Sequence, residues 1–243
     1  MIGKLPTLIG SEYTFTFENT DIERGLLWNQ ENAVNRGVQV NYAKGPLTVS
    51  LSWNDGFYSN RYNWASALVA YAINPRDTIT IVAVGDYFAH SSASSFATPL
   101  ALDNSQQYNL IFSHNSGPLT LTPYVQYTYV PAVPQIGILH SASTIGVALT
   151  AKYSLTPVFS LGGRAEYISS SGSGGGEAAN LLYGPGSKAW SLTFTPTYQF
   201  KIFYLRGEVS YVRATNPTPG FAFGQLGLAA SQTRAMIETG ALF

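Results

Sequence analysis

Cysteine is absent from the 243 residues, and charged residues make up only 11% of the chain, against roughly 25% in an ordinary soluble domain. Without cysteine there are no disulfides, no thiolate catalysis and no cysteine-ligated zinc. The 13 basic and 13 acidic residues cancel to a net charge of zero, and no basic cluster favours phosphate, so nucleic acid is not a predicted partner. Hydrophobic residues amount to 45%, which argues against intrinsic disorder.

Long hydrophobic runs are missing as well. No stretch approaches the roughly 18 apolar residues that a transmembrane helix needs, so a helical membrane protein is excluded. The first residues, Met1–Thr7, carry a charge and a proline where a secretory signal has its apolar core. The sequence therefore predicts either a cytosolic chain or a mature or truncated piece of an exported one.

Alternation with a period of two runs along most of the chain. In Trp190–Phe200, every even position is apolar or aromatic, one of them a proline, and every odd position is Ser, Thr or Gln. Such alternation places two chemistries on opposite faces of a β-strand. The pattern predicts about twelve strands, at residues 2–8, 37–43, 46–54, 63–74, 77–88, 106–115, 118–129, 143–154, 157–170, 189–200, 201–214 and 232–243.

The connections between these strands alternate between short and long. The short ones lie at 44–45, 75–76, 116–117, 155–156 and 200–201, and the long ones at 9–36, 55–62, 89–105, 130–142, 171–188 and 215–231. Short periplasmic turns and long extracellular loops are typical of transmembrane barrels. We therefore predict a single all-β domain over residues 1–243, an antiparallel up-and-down transmembrane β-barrel.

The polar face of the strands contains mainly Ser, Thr, Asn, Gln and Gly, whereas a soluble β-sandwich would place many Lys and Glu there. Aromatic residues recur near the ends of the apolar face, as expected for two interfacial girdles, although a soluble core would also use them. These aromatic residues are Trp53, Tyr71, Tyr87, Tyr127, Tyr129, Tyr153, Tyr167, Tyr198 and Tyr211. A soluble sugar-binding sandwich is the remaining alternative fold.

Charged residues inside the strands mostly follow the polar parity. An Arg on the lipid face costs about 2–4 kcal/mol at the bilayer midplane, so these charges are predicted to line an aqueous lumen. The predicted pore-lining residues are Lys152, Arg164, Glu166, Arg206, Glu208, Arg234 and Glu238. In the alternative interpretation, Arg and Glu pair across strands and brace the wall.

Several longer segments resemble one protein family. Gly3–Gly10, Glu23–Gln30 and Ser52–Tyr58, together with Ala179–Gly186 and Pro219–Gln225, resemble the OmpL-like β-barrel porin family of Gram-negative outer membranes. Family members begin with a signal peptide and further strands, so the resemblance implies that these residues match the C-terminal part of a longer barrel. It also implies outer-membrane localisation, contact with outer-membrane lipid and a porin function.

The C-terminal strand ends in Phe243 after alternating apolar residues. Such an ending looks like the signal that the outer-membrane assembly machinery recognises in these proteins. The assembly machinery is therefore a predicted partner.

The first long loop, 9–36, holds a large share of the charges. In general porins a loop of this kind folds into the barrel and narrows it, so the resemblance implies a constriction. Its acidic residues would face Arg164, Arg206 and Arg234 across the lumen and tune selectivity, and 22–30 is predicted to form a short helix capped by Thr20 or Asp21. A solvated surface loop is the alternative. The predicted constriction residues are Glu12, Glu18, Asp21, Glu23, Arg24, Glu31 and Arg36.

Catalytic chemistry finds no support in the sequence. His90, His114 and His140 lie in or beside loops, without the spacing of a metal site or a serine triad. The run 171–176 lacks the Lys-Ser/Thr ending of a phosphate loop and is predicted to be an extracellular loop. We predict no enzyme and no cofactor.

Twelve strands lie between the filled eight-stranded barrel and the open sixteen-stranded one. The lumen should therefore be narrow and partly occupied by the first loop. The predicted function is passive diffusion of small hydrophilic solutes or ions. The alternative is a plugged structural or adhesive barrel that works through its extracellular loops.

Overall fold

The alternating segments form one antiparallel sheet. A computed structural model describes residues 1–90, 100–172 and 182–242, and in it twelve strands follow one another in chain order. They are β1 Ile2–Pro6, β2 Val34–Lys44, β3 Leu47–Asn54, β4 Trp64–Ala72, β5 Asp77–Asp86, β6 Gln106–Ser116, β7 Leu119–Val130, β8 Ala142–Ser154, β9 Phe159–Ser170, β10 Lys188–Phe200, β11 Phe203–Thr215 and β12 Ser231–Ala241. The predicted all-β, up-and-down antiparallel architecture is confirmed.

The sheet curves but is not closed. Strands β1 and β12 end the sheet order, and no ladder joins them within the described residues. Residues 7–33, which connect β1 to β2, hydrogen-bond both to Asn109 of β6 and to Glu238 of β12. The sheet must therefore wrap around this connection.

Short and long connections lie at opposite rims of the sheet. Gly45 and Gly117 adopt φ near +60° in two of the tight turns, a conformation that glycine reaches without a steric penalty. The long connections are 7–33, 55–63, 87–105, 131–141, 171–187 and 216–230. Residues 91–99, most of the predicted glycine-rich loop 171–176 and Phe243 lie outside the described residues.

The apolar face of the sheet points outward. In β8, Ile145, Val147 and Leu149 are 51%, 45% and 43% exposed, whereas Thr144 and Ala148 on the opposite parity are buried. A soluble sandwich would bury the apolar face and expose the polar one. An apolar outer face and a polar inner face are the arrangement required when lipid surrounds the sheet and water lies within it.

Helical structure is scarce. The described residues contain a four-residue α-helix at Leu100–Asp103 and three 3-10 turns, at Thr16–Glu18, Trp28–Gln30 and Pro134–Ile136. The predicted helix over 22–30 is wrong except for its last turn. In the described ranges, no helix is both long enough and apolar enough to span a membrane.

Adjacent positions in the middle of β8 allow a matched test of the two faces. We expect Leu149→Arg to lower the stability of the protein folded in lipid vesicles by about 2–4 kcal/mol, because the charge enters the apolar face. Thr150→Arg should fold normally, because Thr150 lines an internal cavity. Urea titration with a heat-modifiability gel measures both. Equal losses in the two variants would contradict the assignment of the faces.

Candidate functional site

The connection between β1 and β2, hereafter the inner segment (residues 7–33), lies against the inward face of the sheet. The amide of Gly10 donates to Asn109 Oδ1 of β6 at 2.8 Å, and Gln126 Nε2 of β7 donates to the carbonyl oxygen of Leu27 at 3.0 Å. Backbone groups of an irregular segment must find partners when they are buried. The polar face of the wall supplies those partners.

Apolar packing adds to these hydrogen bonds. Ile9, Leu26 and Leu27 of the inner segment are buried in one cluster with Trp64 and Ile168 of the wall. Burying a side chain of this size stabilises by about 1.5–3 kcal/mol. The inner segment is therefore held by hydrophobic contacts as well as by polar ones.

Arg164 of β9 forms the most deeply buried charged contact. Its Nη1 lies 2.6 Å from Glu12 Oε1 and 3.6 Å from Asp21 Oδ2, and its Nε donates to Glu166 Oε2 at 3.1 Å. All four side chains are at most 7% exposed. One arginine thus binds two carboxylates of the inner segment and one of its own strand.

Arg206 of β11 forms a second anchor. Its Nε donates to Glu238 Oε2 at 2.6 Å, and its two terminal nitrogens donate to the carbonyl oxygens of Thr16 and Asn19 at 2.6 and 2.8 Å. Arg206 and Glu238 are register partners on β11 and β12. The same guanidinium therefore braces two strands and holds the inner segment.

Two further contacts complete the attachment to the last strands. Glu208 accepts the backbone N–H groups of Ile22 and Glu23, and Arg234 Nη1 lies 3.0 Å from Glu23 Oε1. The Arg234–Glu23 pair is exposed, at 43% and 40%. Exposed pairs of this kind contribute roughly 0–1 kcal/mol, so it is the weakest of the charged contacts.

Three predicted constriction residues make no ion pair with these anchors in the described part of the chain. Arg36 belongs to β2 rather than to the connection, and its Nη2 lies 2.7 Å from Asp55 Oδ2. Arg24 stacks over the ring of Trp28, with 4.6 Å from Cζ to the ring centroid. Glu31 is buried, and burial raises the pKa of its carboxyl well above the usual range.

A cavity of about 320 Å³ remains between the inner segment and strands β4 to β8. Glu12, Glu18 and Asp21 line its inner side. Hydroxyl and apolar side chains line the wall side, namely Leu68, Thr80, Ile111, Ser113, Thr122 and Thr150. Acidic and hydroxyl groups thus face each other across this part of the lumen.

Glu12 is the cavity carboxyl with the most perturbed environment. Burial raises its pKa from 4.5 to about 7, while the Arg164 guanidinium and the Gly25 N–H offset part of that effect. Burial also raises the pKa of Asp21. The charge of the cavity therefore changes near neutral pH.

Lys152 lines a smaller recess, shared with Thr197, Tyr204 and Arg206. Like the cavity, it faces inward. The seven predicted wall charges are thus all placed on β8, β9, β11 and β12. Arg164 and Arg206 are in direct contact with carboxylates, so opposite charges meet on one side of the lumen, and a field across the whole lumen stays a prediction.

Several anchoring residues are uncharged and were not predicted from the sequence. Asn109, Gln107 and Gln126 bind the inner segment directly. Thr195 donates to Asp21 at 2.7 Å, and Ser191 donates to Glu166 at 2.7 Å. Each of these residues stands at a polar position of an alternating strand. The signal in the sequence was the occurrence of the larger amide side chains, Asn and Gln, at positions where Ser and Thr are more common.

His90 and His114 each pair with a single carboxylate and do not form a metal cluster in the part of the chain that the structure describes. There, no group of three or more His, Asp or Glu side chains is placed to hold a metal ion. His90 pairs with Asp86 at 2.8 Å, and His114 pairs with Asp77 at 2.6 Å.

The outward apolar face and the inward polar face of an antiparallel, up-and-down sheet define the class of outer-membrane β-barrel proteins. A family model described as "Putative beta-barrel porin-2, OmpL-like" matches residues 1–243. The chain belongs to this family of outer-membrane porins. Family and fold together point to a channel that is not an enzyme. No curated protein matches the chain.

Solved outer-membrane proteins share the fold at low identity. OmpT of Vibrio cholerae, folded in vitro, matches with a TM-score of 0.63 and 13% identity over 98% of this chain and 74% of its own. The channel DcaP of Acinetobacter baumannii matches with a TM-score of 0.60 and 13% identity, over 88% of this chain and 64% of its own. The anion-selective porin from Comamonas acidovorans matches with a TM-score of 0.56 and 14% identity, over 86% of this chain and 59% of its own. The chain thus spans under two thirds of the latter two structures.

Proposed function

We propose that this chain forms a passive diffusion channel for small hydrophilic solutes and ions, and that the inner segment narrows its lumen. The observation that carries the proposal is the placement of residues 7–33 on the inward face, anchored by Arg164 and Arg206, with a cavity of about 320 Å³ left beside it. Permeating solutes would pass between the acidic inner segment and the hydroxyl groups of the wall.

Charge favours cations in this passage. Glu12, Glu18 and Asp21 line the cavity, and none of its described lining residues is basic. Arg164 contacts Glu12 and Asp21 from the wall, so three carboxylates face one guanidinium that does not line the cavity. Rings or rows of carboxylates are typical of cation-conducting pores. We infer a cation preference for this chain.

The test is to refold the purified chain into a planar bilayer and to record single-channel current under a salt gradient. Discrete, stable steps with a reversal potential of the cation-selective sign are expected. A folded, heat-modifiable protein that gives no current would contradict the diffusion channel. It would favour the second candidate function, a plugged structural or adhesive barrel.

The plugged barrel has one observation in its favour. Ile9, Leu26 and Leu27 fill part of the interior with apolar side chains. Water does not cross such a region readily, so the open path would depend on the cavity alone. In that case function would belong to the long extracellular loops.

A substitution inside the cavity separates these candidates further. We expect Thr122→Trp to reduce single-channel conductance by roughly half or more, because an indole displaces several water volumes from a cavity of about 320 Å³. Leu121→Trp is the matched control, because Leu121 has the opposite parity on β7 and faces outward. Equal conductance in the two variants would show that the current bypasses this cavity.

We also propose that the assembly machinery recognises the C-terminal strand. Strand β12, Ser231–Ala241, precedes Phe243. Alternating residues and a terminal aromatic side chain are the features that support this partner.

A further inference from the structure

Two cations lie directly opposite each other on the outward face of the sheet. Lys4 of β1 is the register partner of Arg36 of β2, and both line an outer groove together with Val38 and Trp53. Like charges directly opposite on neighbouring strands destabilise a sheet. A cation on a lipid-facing surface adds to that cost, less near the interface than at the midplane.

The position of this pair in the membrane is set by the topology. Lys4 lies two residues before the end of β1, and Arg36 lies two residues after the start of β2. The long connection 7–33 joins these two ends, so both cations lie at the rim of the long loops. In an outer-membrane barrel this rim is extracellular.

An aromatic ring joins the two cations. Lys4 Nζ lies 5.5 Å from the centroid of the Tyr58 ring, and Arg36 Cζ lies 4.7 Å from it. Both distances are within the range of cation–π attraction. Tyr58 has φ of +64°, a strained conformation for a bulky residue that is concentrated at functional sites.

Within residues 1–90, 100–172 and 182–242, one carboxylate forms an ion pair with either of these two cations. Arg36 pairs with the buried Asp55. Among the residues that the structure describes, Lys4 has no carboxylate within salt-bridge distance, and it is exposed. The pair therefore keeps one uncompensated positive charge, and a second anion would remove the repulsion.

An apolar groove runs from this pair along the outer surface. A volume of about 500 Å³ is lined by Ile2, Val38, Trp53 and Tyr62 beside the two cations. Val38 and Trp53 also line an adjoining groove of about 440 Å³, which reaches Val40 and Leu51. The indole Nε1 of Trp53 donates to the carbonyl oxygen of Tyr62 at 2.8 Å, which fixes the ring at the junction.

We propose that this surface binds a phosphorylated lipid of the outer leaflet. The phosphate lies between Lys4 and Arg36 beside the Tyr58 ring, and an acyl chain follows the groove past Trp53. A lipid fits better than a protein partner, because a cationic end that continues into an apolar groove on a lipid-facing surface matches an anionic headgroup with its chain. This site lies outside the lumen, so it is independent of the proposed channel.

The experiment is native mass spectrometry of the full chain, refolded in detergent, with added bis-phosphorylated lipid A or phosphatidylcholine. Preferential retention of lipid A is expected. Lys4→Gln should weaken its apparent affinity roughly tenfold, which corresponds to the loss of one charge-assisted contact. Lys44→Gln is the matched control, because Lys44 lies on the same face of β2 at the opposite end of the strand, and it should bind as the wild type does.

A second variant keeps the test independent of one side chain. Tyr58→Asn removes the ring but keeps a residue that tolerates positive φ, and it should also weaken lipid A binding. Heat modifiability confirms that each variant is folded. Equal retention of phosphatidylcholine, or equal losses in Lys4→Gln and Lys44→Gln, would overturn the proposal. Complete displacement by millimolar inorganic phosphate would also overturn it, since a free anion would then be the ligand.

Discussion

Arg164→Gln is expected to raise the single-channel conductance several-fold and to release the inner segment from β9. The substitution leaves the carboxylates of Glu12, Asp21 and Glu166 without the guanidinium that contacts all three. Removing one partner of a buried ion pair destabilises by about 3–5 kcal/mol. Part of the segment should then leave the wall, and the lumen should widen.

The effect should fall on the inner segment rather than on the sheet. The ladders of β9 with β8 and β10 run along the whole strand and do not depend on the Arg164 side chain. Arg164→Lys tests the geometry, because it keeps the charge but loses the planar fork. Its conductance should lie between those of the wild type and Arg164→Gln.

Arg234→Gln is the control for this prediction. It removes an equal charge on the same inward face, but its pair with Glu23 is exposed. Exposed pairs contribute at most about 1 kcal/mol, so conductance should change little. If Arg164→Gln and Arg234→Gln give the same conductance, the inner segment does not depend on the buried anchor.

The strands could be predicted from the sequence because their period of two is a local property. The alternation predicts a strand over 118–129, and β7 is Leu119–Val130. Lipid outside and water inside require a consistent parity in every strand. Because lipid or water constrains each strand residue separately, the alternation predicts the strands without knowledge of distant contacts.

The helix over 22–30 could not be predicted correctly, because its backbone donors are bound elsewhere. The N–H groups of Ile22 and Glu23 donate to Glu208, and that of Leu27 donates to Glu166. In a helix that starts at Ile22, the N–H groups of Ile22 and Glu23 would have no intrahelical acceptor, whereas that of Leu27 would donate to the carbonyl oxygen of Glu23. Glu166 takes the place of that acceptor. Local propensity is overridden by acceptors more than a hundred residues away in the chain.

The sequence predicts which charged residues of the candidate site face inward, but not which groups they bind. Parity assigns Arg164, Arg206 and Glu238 to the inward face. It does not show that Arg206 binds the carbonyl oxygens of Thr16 and Asn19, since that depends on the path of an irregular segment. Alternation alone thus carries information about which face a charge occupies, whereas the contacts that neutralise the charge depend on the fold of residues 7–33.

We expect the preference for cations to increase as the pH rises, in one step with a midpoint near pH 7. The substitution Glu12→Gln is expected to abolish this step. Burial raises the pKa of Glu12 from 4.5 to about 7, so the carboxyl is neutral in the folded protein at pH 5 and charged at pH 8. Because Glu12 lines the cavity, its ionisation adds a negative charge to the passage. The permeability ratio, measured from reversal potentials between pH 5 and 8.5, reports this change.

Stability should move in the opposite direction to cation preference. Between pH 4.5 and about 7 the folded protein holds a proton that the unfolded chain has released, so stability falls as the pH rises through this window. The pKa difference corresponds to roughly 3 kcal/mol at full extent. Glu12→Gln stays neutral and keeps an oxygen for the Gly25 N–H and Arg164, so its stability should fall less over that window than that of the wild type. Asp21 and Glu31, whose pKa values burial also raises, account for the fall that remains.

Glu23→Gln provides the matched control for both measurements. It removes one acidic side chain from the same inner segment, but at the exposed pair with Arg234 rather than in the buried cluster. The step near pH 7 should therefore persist in Glu23→Gln and be absent in Glu12→Gln. A step that survives in Glu12→Gln would assign the titration to another group, and Asp21, whose pKa burial also raises, would be the next carboxyl to substitute.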